Sequence, residues 1–237
     1  MRYTIDSEVF RDVPEFVRGI VVIENLDNSG QHERLGSLFR GEKYQAAEDG
    51  GRTTTDPRIT AWEETYKTFP LPRGERIHPG HGTLLKRLKK GDAERIPFIS
   101  PLVAISNIIA VKYMMPCGVF DTGRVTGDLM LTAATGEESF LPFGKDTATG
   151  VVSGEVILLD SGQNTVVCRA WNSRGGQTTA VSADTKNAII DIDCLSRIVG
   201  HDVLDEALSE AVSLVSQFCG GLVRVERLSS DNRQIAI

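Results

Sequence analysis

The sequence holds no run of about 18 or more apolar residues, so no part of it is expected to cross a membrane as a helix. Its opening stretch, MRYTIDSEVFRDVPEF, carries charges where a secretion signal needs an apolar segment. Cysteine is sparse and scattered: Cys117, Cys168, Cys194 and Cys219 form no C-x-x-C pair that would hold a metal or run redox chemistry. Buried, reduced thiols in a cytoplasmic protein are the expectation. Aromatic residues are only 6% of the chain, so aliphatic side chains must fill the interior. The G-x-S-x-G elbow, the P-loop, the dinucleotide fingerprint and zinc-type HxxEH spacing are all missing. No metal and no cofactor is expected.

What is present suits a folded domain. The 237 residues are 41% hydrophobic and 24% charged, enough for one sizeable core or two closely packed subdomains. Net charge is −6, which argues against a protein that grips DNA or RNA indiscriminately. The charge is unevenly spread. Residues 73 to 95, with Arg73, Arg76, Lys86, Arg87, Lys89, Lys90 and Arg95, are net +4 and leave −10 for the remainder. One basic patch on an acidic body suits a partner engaged locally and released readily, and a solvated helix face fits the same charges.

Along the chain, RYTIDSEVF reads as a strand entering a turn and RGIVVIENL as a buried central strand. Helical patterning runs from His32 to about Ala47, and EDGGRTTTDP ends it. Asp56 and Pro57 then predict a helix start, with Trp62 and Tyr66 turned inward. FPLPRGERIHPGHG is a structured loop leading to the helix TLLKRLKKG, with Leu84, Leu85 and Leu88 inward. Residues 100 to 115 read as a mostly buried helix opened by Ser100 and Pro101, with Ser106 and Asn107 its polar members. Six strands follow: GVFD, GDLMLTAA, ESFLPFG, GEVILLD, NTVVCRAW and NAIIDID. The helix DVLDEALSEAVSLVSQF ends at Gly220-Gly221, and LVRVERL closes the chain as an edge strand. The class is α+β, mixed sheets with packed helices in a single domain over 1–237. Its parts are an N-terminal segment to about residue 80, a core from about 81 to 200, and a C-terminal helix and strand from about 201.

Three stretches carry chemistry. His78 and His81 of HPGH would need a third ligand to hold a metal, and none is near in sequence. Contact with RNA phosphate, closure over a ligand, and plain surface histidines are the other readings. In NAIIDID, Asp191 and Asp193 share one face of a strand. Burying both is costly unless a positive or hydrogen-bonding group meets them. A solvated face, an arginine such as Arg169 or Arg174, and a pocket selecting a cationic or hydroxyl-bearing ligand all fit. CRAWNSRGGQTT joins Trp171, Asn172 and Arg174 to a Gly-Gly pair where backbone amides can approach a ligand. An ordinary hairpin with a packed tryptophan is the alternative.

From Thr83 to about Leu195 the ordered stretches LLKRLKKG, SPLVAISNIIAVKYMMPCGVFD, GDLMLTAATGEESFLPFG, SGEVILLD, CRAWNSR and TKNAIIDID resemble one known module. That module is the editing (B3/B4) domain of the phenylalanyl-tRNA synthetase β subunit, also found as stand-alone proteins. The family's Thr-Asn helix, proline and His-x-Phe-Asp run fall on Ser106, Asn107, Pro116, Gly118, Phe120 and Asp121. The resemblance implies an aminoacyl-tRNA deacylase acting on mischarged tRNA. It puts Ser106 and Asn107 at the pocket helix and Asn172 at a backbone-lined wall. Asn107 and the amides around Asn172 would serve the developing oxyanion, with Trp171 and Arg174 expected among the substrate-binding residues. Asp191, with Asp193, would recognise the amino-acid side chain. The family's pocket histidine falls on Gly118, and His78 or His81 is the expected replacement. Lys86, Arg87, Lys89 and Lys90 are the expected tRNA contacts. Canavanyl-tRNA(Arg) is the preferred substrate, tyrosyl-tRNA(Phe) another. A non-catalytic tRNA-binding module and an amino-acid sensor are the alternatives.

Overall fold

A computed structural model describes residues 1–30, 32–48, 55–71, 77–89 and 96–237, without the side chains of residues 47, 48 and 89. Its centre is β2 (Phe16–Glu24), a Val/Ile-rich strand buried at every position but the last. Such a run is typical of a strand covered on both faces. It pairs antiparallel with β10 (Ala188–Leu195) and β11 (Leu222–Leu228), and β3 (Cys117–Asp121) flanks β10, giving the order β11-β2-β10-β3.

The second sheet is mixed. Its order is β12 (Gln234–Ala236), β1 (Arg2–Ile5), β4 (Leu129–Ala133), β7 (Val156–Asp160), β8 (Thr165–Arg169), β5 (Ser139–Phe140) and β6 (Thr149–Gly150). A short β9 (Arg174–Gly175) also pairs with β8, and the β1–β4 and β5–β8 pairings are parallel.

Strand alternation sorts the side chains into two cores. Val17, Val21 and Ile23 of β2, with Ile190 and Ile192 of β10, face a helical layer. That layer comprises α2 (Glu33–Glu48), α4 (Gly80–Lys89), α5 (Pro101–Tyr113) and α6 (His201–Phe218). Phe16, Ile20 and Val22 of β2, with Ile189 and Leu195 of β10, face the second sheet. There they meet α1 (Ser7–Asp12) and α3 (Pro57–Tyr66), whose Trp62 and Tyr66 point inward as expected. Arg18, Asp191 and Asp193 belong by parity to this inter-sheet side.

The α+β class with mixed sheets is as the sequence indicates. Asp56 caps α3 by accepting from the Arg58 amide, and Ser100 caps α5. Three expectations change. The strand expected across ESFLPFG shrinks to Ser139–Phe140, because Pro142 cannot donate to a ladder and the chain turns there. LVRVERL is an edge strand but does not close the fold, since β12 follows it and pairs with β1. HPGH is only partly loop: α4 begins at Gly80, so His81 sits in its first turn. All four cysteines are free thiols, three buried and Cys117 only partly so. No helix among the described residues is long and apolar enough to cross a membrane.

Candidate functional site

The register of β2 on β10 sets Arg18 directly opposite Asp193. Its guanidinium binds Asp193 twice, Nε to Oδ1 at 2.5 Å and Nη2 to Oδ2 at 2.7 Å, and Nη1 lies 3.4 Å from Asp191 Oδ2. Tyr3, reaching across from the other sheet, donates its hydroxyl to Asp191 Oδ2 at 2.7 Å and accepts from Arg18 Nη1. Asn172 donates from Nδ2 to Asp193 Oδ2 at 2.8 Å, and the Tyr66 hydroxyl donates to Asn172 Oδ1. The acids are thus neither solvated nor met by Arg169 or Arg174. Arg169 is committed to Glu155 through contacts of 2.7 and 3.0 Å, and Arg174 is exposed on another cleft.

One guanidinium faces two carboxylates, so the cluster carries net −1 when both are ionised. Burial lifts Asp191 to about 6; Arg18 and Tyr3 work against the rise and the Asp193 charge adds to it. Oδ1 of Asp191 has no hydrogen-bond partner among the described residues.

Asp191 and Asp193 line a chamber of about 20 Å³, room for one water-sized group. Gly118, Phe120, Cys168 and Asn172 form walls of that chamber and also of an open cleft of about 270 Å³. The cleft is completed by Gly80, His81 and Arg87 of α4, and by Asn107 and Ala110 of α5. The start of α4 thus lines the cleft, and the buried carboxylate pair lines the chamber that shares four of its walls.

The turn bearing Asn172 is unusual. Ala170 (φ 44°) and Trp171 (φ 64°) are both left-handed without being glycine, a conformation that costs of order 1–3 kcal/mol per residue. The surroundings enforce it. Ala170 N donates to Glu155 Oε1 at 2.9 Å and Trp171 N to Val156 O at 2.6 Å. The Trp171 ring is wedged edge-on against Phe16, Trp62 and Phe69. Trp171 is accordingly a core residue that backs the chamber. The amides of Asn172 and Ser173 also donate within the turn, so those expected to meet a ligand there are already used. The first-turn amides of α4, at Gly80, His81 and Gly82, have no acceptor among the described residues. A Cβ on residue 80 would stand 3.2 Å from the Asn172 carbonyl oxygen, so glycine lets the helix begin against the turn.

The other expected residues divide. His81 lines the cleft, is buried, and has both ring nitrogens unpartnered among the described residues. Burial, aided by the nearby Arg58 charge, pulls it down to about 3, so it is neutral. His78 lies outside the cleft, with Nδ1 2.5 Å from Glu63 Oε1 and Nε2 2.5 Å from Lys86 Nζ. Its carbonyl accepts from Ser173 Oγ at 2.6 Å, tying the loop to the turn. Ser106 is buried and bonds back to Val103 O of its own helix, away from the cleft. Asn107 lines the cleft with its amide uncommitted. Gly118 pairs with Asp191 in the β3–β10 ladder, and the Phe120 ring covers it. A Cβ at 118 would meet Phe120 Cζ at 2.9 Å, so that ring fills the space a side chain at 118 would need. Lys89, beyond its backbone, and Lys90 lie outside the described residues. Cys117 and Cys168 line the cleft, but burial raises both thiols, Cys168 to about 12, so neither is a ready nucleophile. No group of three metal-ligating side chains occurs among the described residues.

Sequence reasoning missed Arg18, Tyr3 and Tyr66. The available signal was Arg18 itself, a single charge leading a β-branched run.

The family model described as the B3/4 domain matches residues 74–220, more than half the chain. The chain belongs to the B3/4 domain family. A phenylalanine–tRNA ligase β subunit from Shewanella oneidensis is 23% identical over 141 residues, which is 58% of this chain and 17% of that protein. A crystal structure of an N-terminal fragment of the phenylalanyl-tRNA synthetase β subunit from Pyrococcus horikoshii covers 94% of this chain and 49% of the fragment. Its identity is 14% and its TM-score 0.44. The chain therefore spans about a sixth of the curated relative and half of the solved fragment. The matched B3/4 segment contains both acids, Asn172 and the cleft-lining part of α4. Arg18, Tyr3 and Tyr66, which satisfy those groups, come from before it.

Proposed function

We propose that this chain is a trans-acting deacylase that cleaves the ester joining a wrong amino acid to the 3′ end of a tRNA. The observation that carries the reading is the buried pair Asp191 and Asp193, one oxygen without a partner among the described residues, in a chamber that shares four walls with an open cleft lined by the first turn of α4. Membership of the B3/4 family, and likeness to a protein named as a tRNA ligase subunit, supports a tRNA-bound substrate.

An aminoacyl ester is already activated, so the protein need only position it against water, an effect worth several orders of magnitude. The amides of Gly80 and His81, in the cleft lining at the positive end of α4, are suited to the developing oxyanion. The Asn107 amide is suited to orienting water, and the vicinal ribose hydroxyl to carrying a proton. Asn172 touches the cleft, but both ends of its amide are held, so it fixes the wall and the Asp193 carboxylate. Asp191 accepts the distal donor of the side chain: a hydroxyl, an ammonium, or one N–H edge of a guanidinium-like head. A site built around such a bond rejects analogues lacking the donor far better than an apolar pocket does. Arg87, in the cleft lining, is a cation suited to the terminal phosphate.

The test is release of labelled amino acid from canavanyl-tRNA(Arg), arginyl-tRNA(Arg), tyrosyl-tRNA(Phe) and phenylalanyl-tRNA(Phe), comparing wild type with Asp191→Ala. Fast release from one mischarged species, lost in the variant, is expected. One observation favours a second reading, a module that binds aminoacyl-tRNA without cleaving it: the amides around Asn172 are closed to a ligand. Binding of tRNA with release from none of the panel would establish that reading and refute the first.

A further inference from the structure

We propose that the cleft beside β9 seats an unpaired nucleobase of an RNA 3′ end, stacked on Phe143, one nucleotide before the residue held in the deacylation cleft. The inference rests on the deacylase reading only for which nucleotide is seated.

Phe143 is 62% exposed, a large apolar surface left in water on a chain poor in aromatics. The ring is not on a loose tip. Lys145 N donates to Pro142 O at 3.2 Å, and Gly144 has φ 68°, which makes Pro142–Lys145 a type II turn with Phe143 at its first corner. The turn is braced from outside. Gly144 N donates to Gln177 Oε1 at 3.0 Å, Gln177 N to Leu141 O at 2.9 Å, and Pro142 bridges to Gly176. An aromatic face presented on a fixed turn pays little ordering entropy when a flat ligand stacks on it.

The cleft under this ring is about 470 Å³, within the range of ligand sites. Its base is Arg169, which lies over the Phe140 ring at 5.6 Å and is held by Glu155, so its charge is already matched. The exposed Arg174 lines it, and the exposed Lys145 is the last residue of the turn that carries Phe143. An aromatic plane with cations at the edge fits a base and its phosphate. Sequence-tolerant binding of single strands relies on this combination.

Continuity fixes the order. Gly175 lines both this cleft and the deacylation cleft. With no side chain at 175, only backbone stands where the two linings meet, and Phe143 Cε2 lies 3.8 Å from where a Cβ would be. A strand whose last ribose lies over Gly118 and Asn172 continues past Gly175 onto Phe143.

The experiment uses the full chain and a fluorescently labelled, uncharged single-stranded RNA ending in CCA, with anisotropy as readout. Phe143→Ala is expected to weaken binding about tenfold, while Phe143→Tyr retains it. An abasic site at the penultimate nucleotide should weaken wild type by a similar factor and Phe143→Ala hardly further. Arg174→Ala should weaken binding and flatten its salt dependence. Equal binding by wild type and Phe143→Ala, indifference to the abasic site, or no binding by wild type would each overturn the proposal. The oligonucleotide carries no amino acid, so these outcomes are independent of whether the chain hydrolyses any aminoacyl-tRNA.

Discussion

Arg18 and Asp193 face each other across the β2–β10 ladder, both about 1% exposed, and share two hydrogen bonds of 2.5 and 2.7 Å. The pair is the hub of a chain of contacts. From Asp193 it runs through Asn172 to Tyr66, and from Arg18 through Tyr3 to Asp191. The central sheet, the second sheet, α3 and the wall of the cleft are thereby held in one arrangement.

Removing Arg18 leaves two buried carboxylates side by side on β10 with no cation between them. Arg18→Met is expected to destabilise the fold by about 3–5 kcal/mol, measured by urea unfolding. The triple variant Arg18→Met, Asp191→Asn, Asp193→Asn should recover most of that loss, because it removes the uncompensated charge along with its partner. A triple variant no more stable than the single one would mean that packing by the arginine stem, not charge, is what counts.

Asp191 makes stability depend on pH in a direction opposite to the usual carboxylate. In the native state it keeps its proton to about pH 6, while its ordinary value is 3.8. Between those values the native state binds more protons than the unfolded one, so stability falls as pH rises, by on the order of 3 kcal/mol in total. His81 acts the other way: neutral down to about 3 when folded and ordinarily near 6.5, it makes stability fall as pH drops through that window. Comparing wild type with Asp191→Asn cancels the histidine. The variant should gain on wild type from about pH 4 to pH 6 and hold a constant lead above. A difference that is flat with pH would show that Asp191 titrates normally.

The elements legible in the sequence were those whose signal is local. β2 and β10 announced themselves as β-branched runs, α5 as a helix opened by Ser100 and Pro101, α6 as a helical run ended by Gly220-Gly221, and the shared face of Asp191 and Asp193 followed from the two-residue strand period. The partner of those acids did not, because it depends on the pairing of strands 175 residues apart. Tyr3 is further removed, since it reaches the acids from a different sheet. The left-handed turn at Ala170 and Trp171 had no glycine to mark it. Phe120 over Gly118 was readable in principle, because residues two apart share a strand face.

The packing of Phe120 against Gly118 sets a volume constraint. Gly118→His alone must displace a ring whose Cζ is 2.9 Å from the new Cβ, and overpacking of this kind costs about 1–3 kcal/mol. Gly118→His with Phe120→Ala exchanges one ring for another and should regain stability, as read by thermal melting. It would also place an imidazole beside Asp191, which pairs with residue 118 in the ladder. If the double variant melts no higher than the single one, the space vacated by Phe120 is not the space a side chain at 118 needs.

Tyr66 offers a way to separate positioning from folding. Its hydroxyl donates to Asn172 Oδ1, while Asn172 Nδ2 donates to Asp193, so the amide cannot flip without losing both bonds. Tyr66→Phe leaves Oδ1 without its donor in a half-buried place, at a cost of about 1 kcal/mol, and frees the amide to turn. On the deacylase reading, kcat is expected to fall about tenfold with KM little changed, because Tyr66 orients a wall and is itself outside the cleft lining. Ile105→Val in the helical core, expected to cost 0.5–1.5 kcal/mol, is the control. It should leave kcat unchanged at temperatures where both variants are fully folded. Equal kcat losses in the two variants would mean that lost stability, not the orientation of Asn172, accounts for the effect.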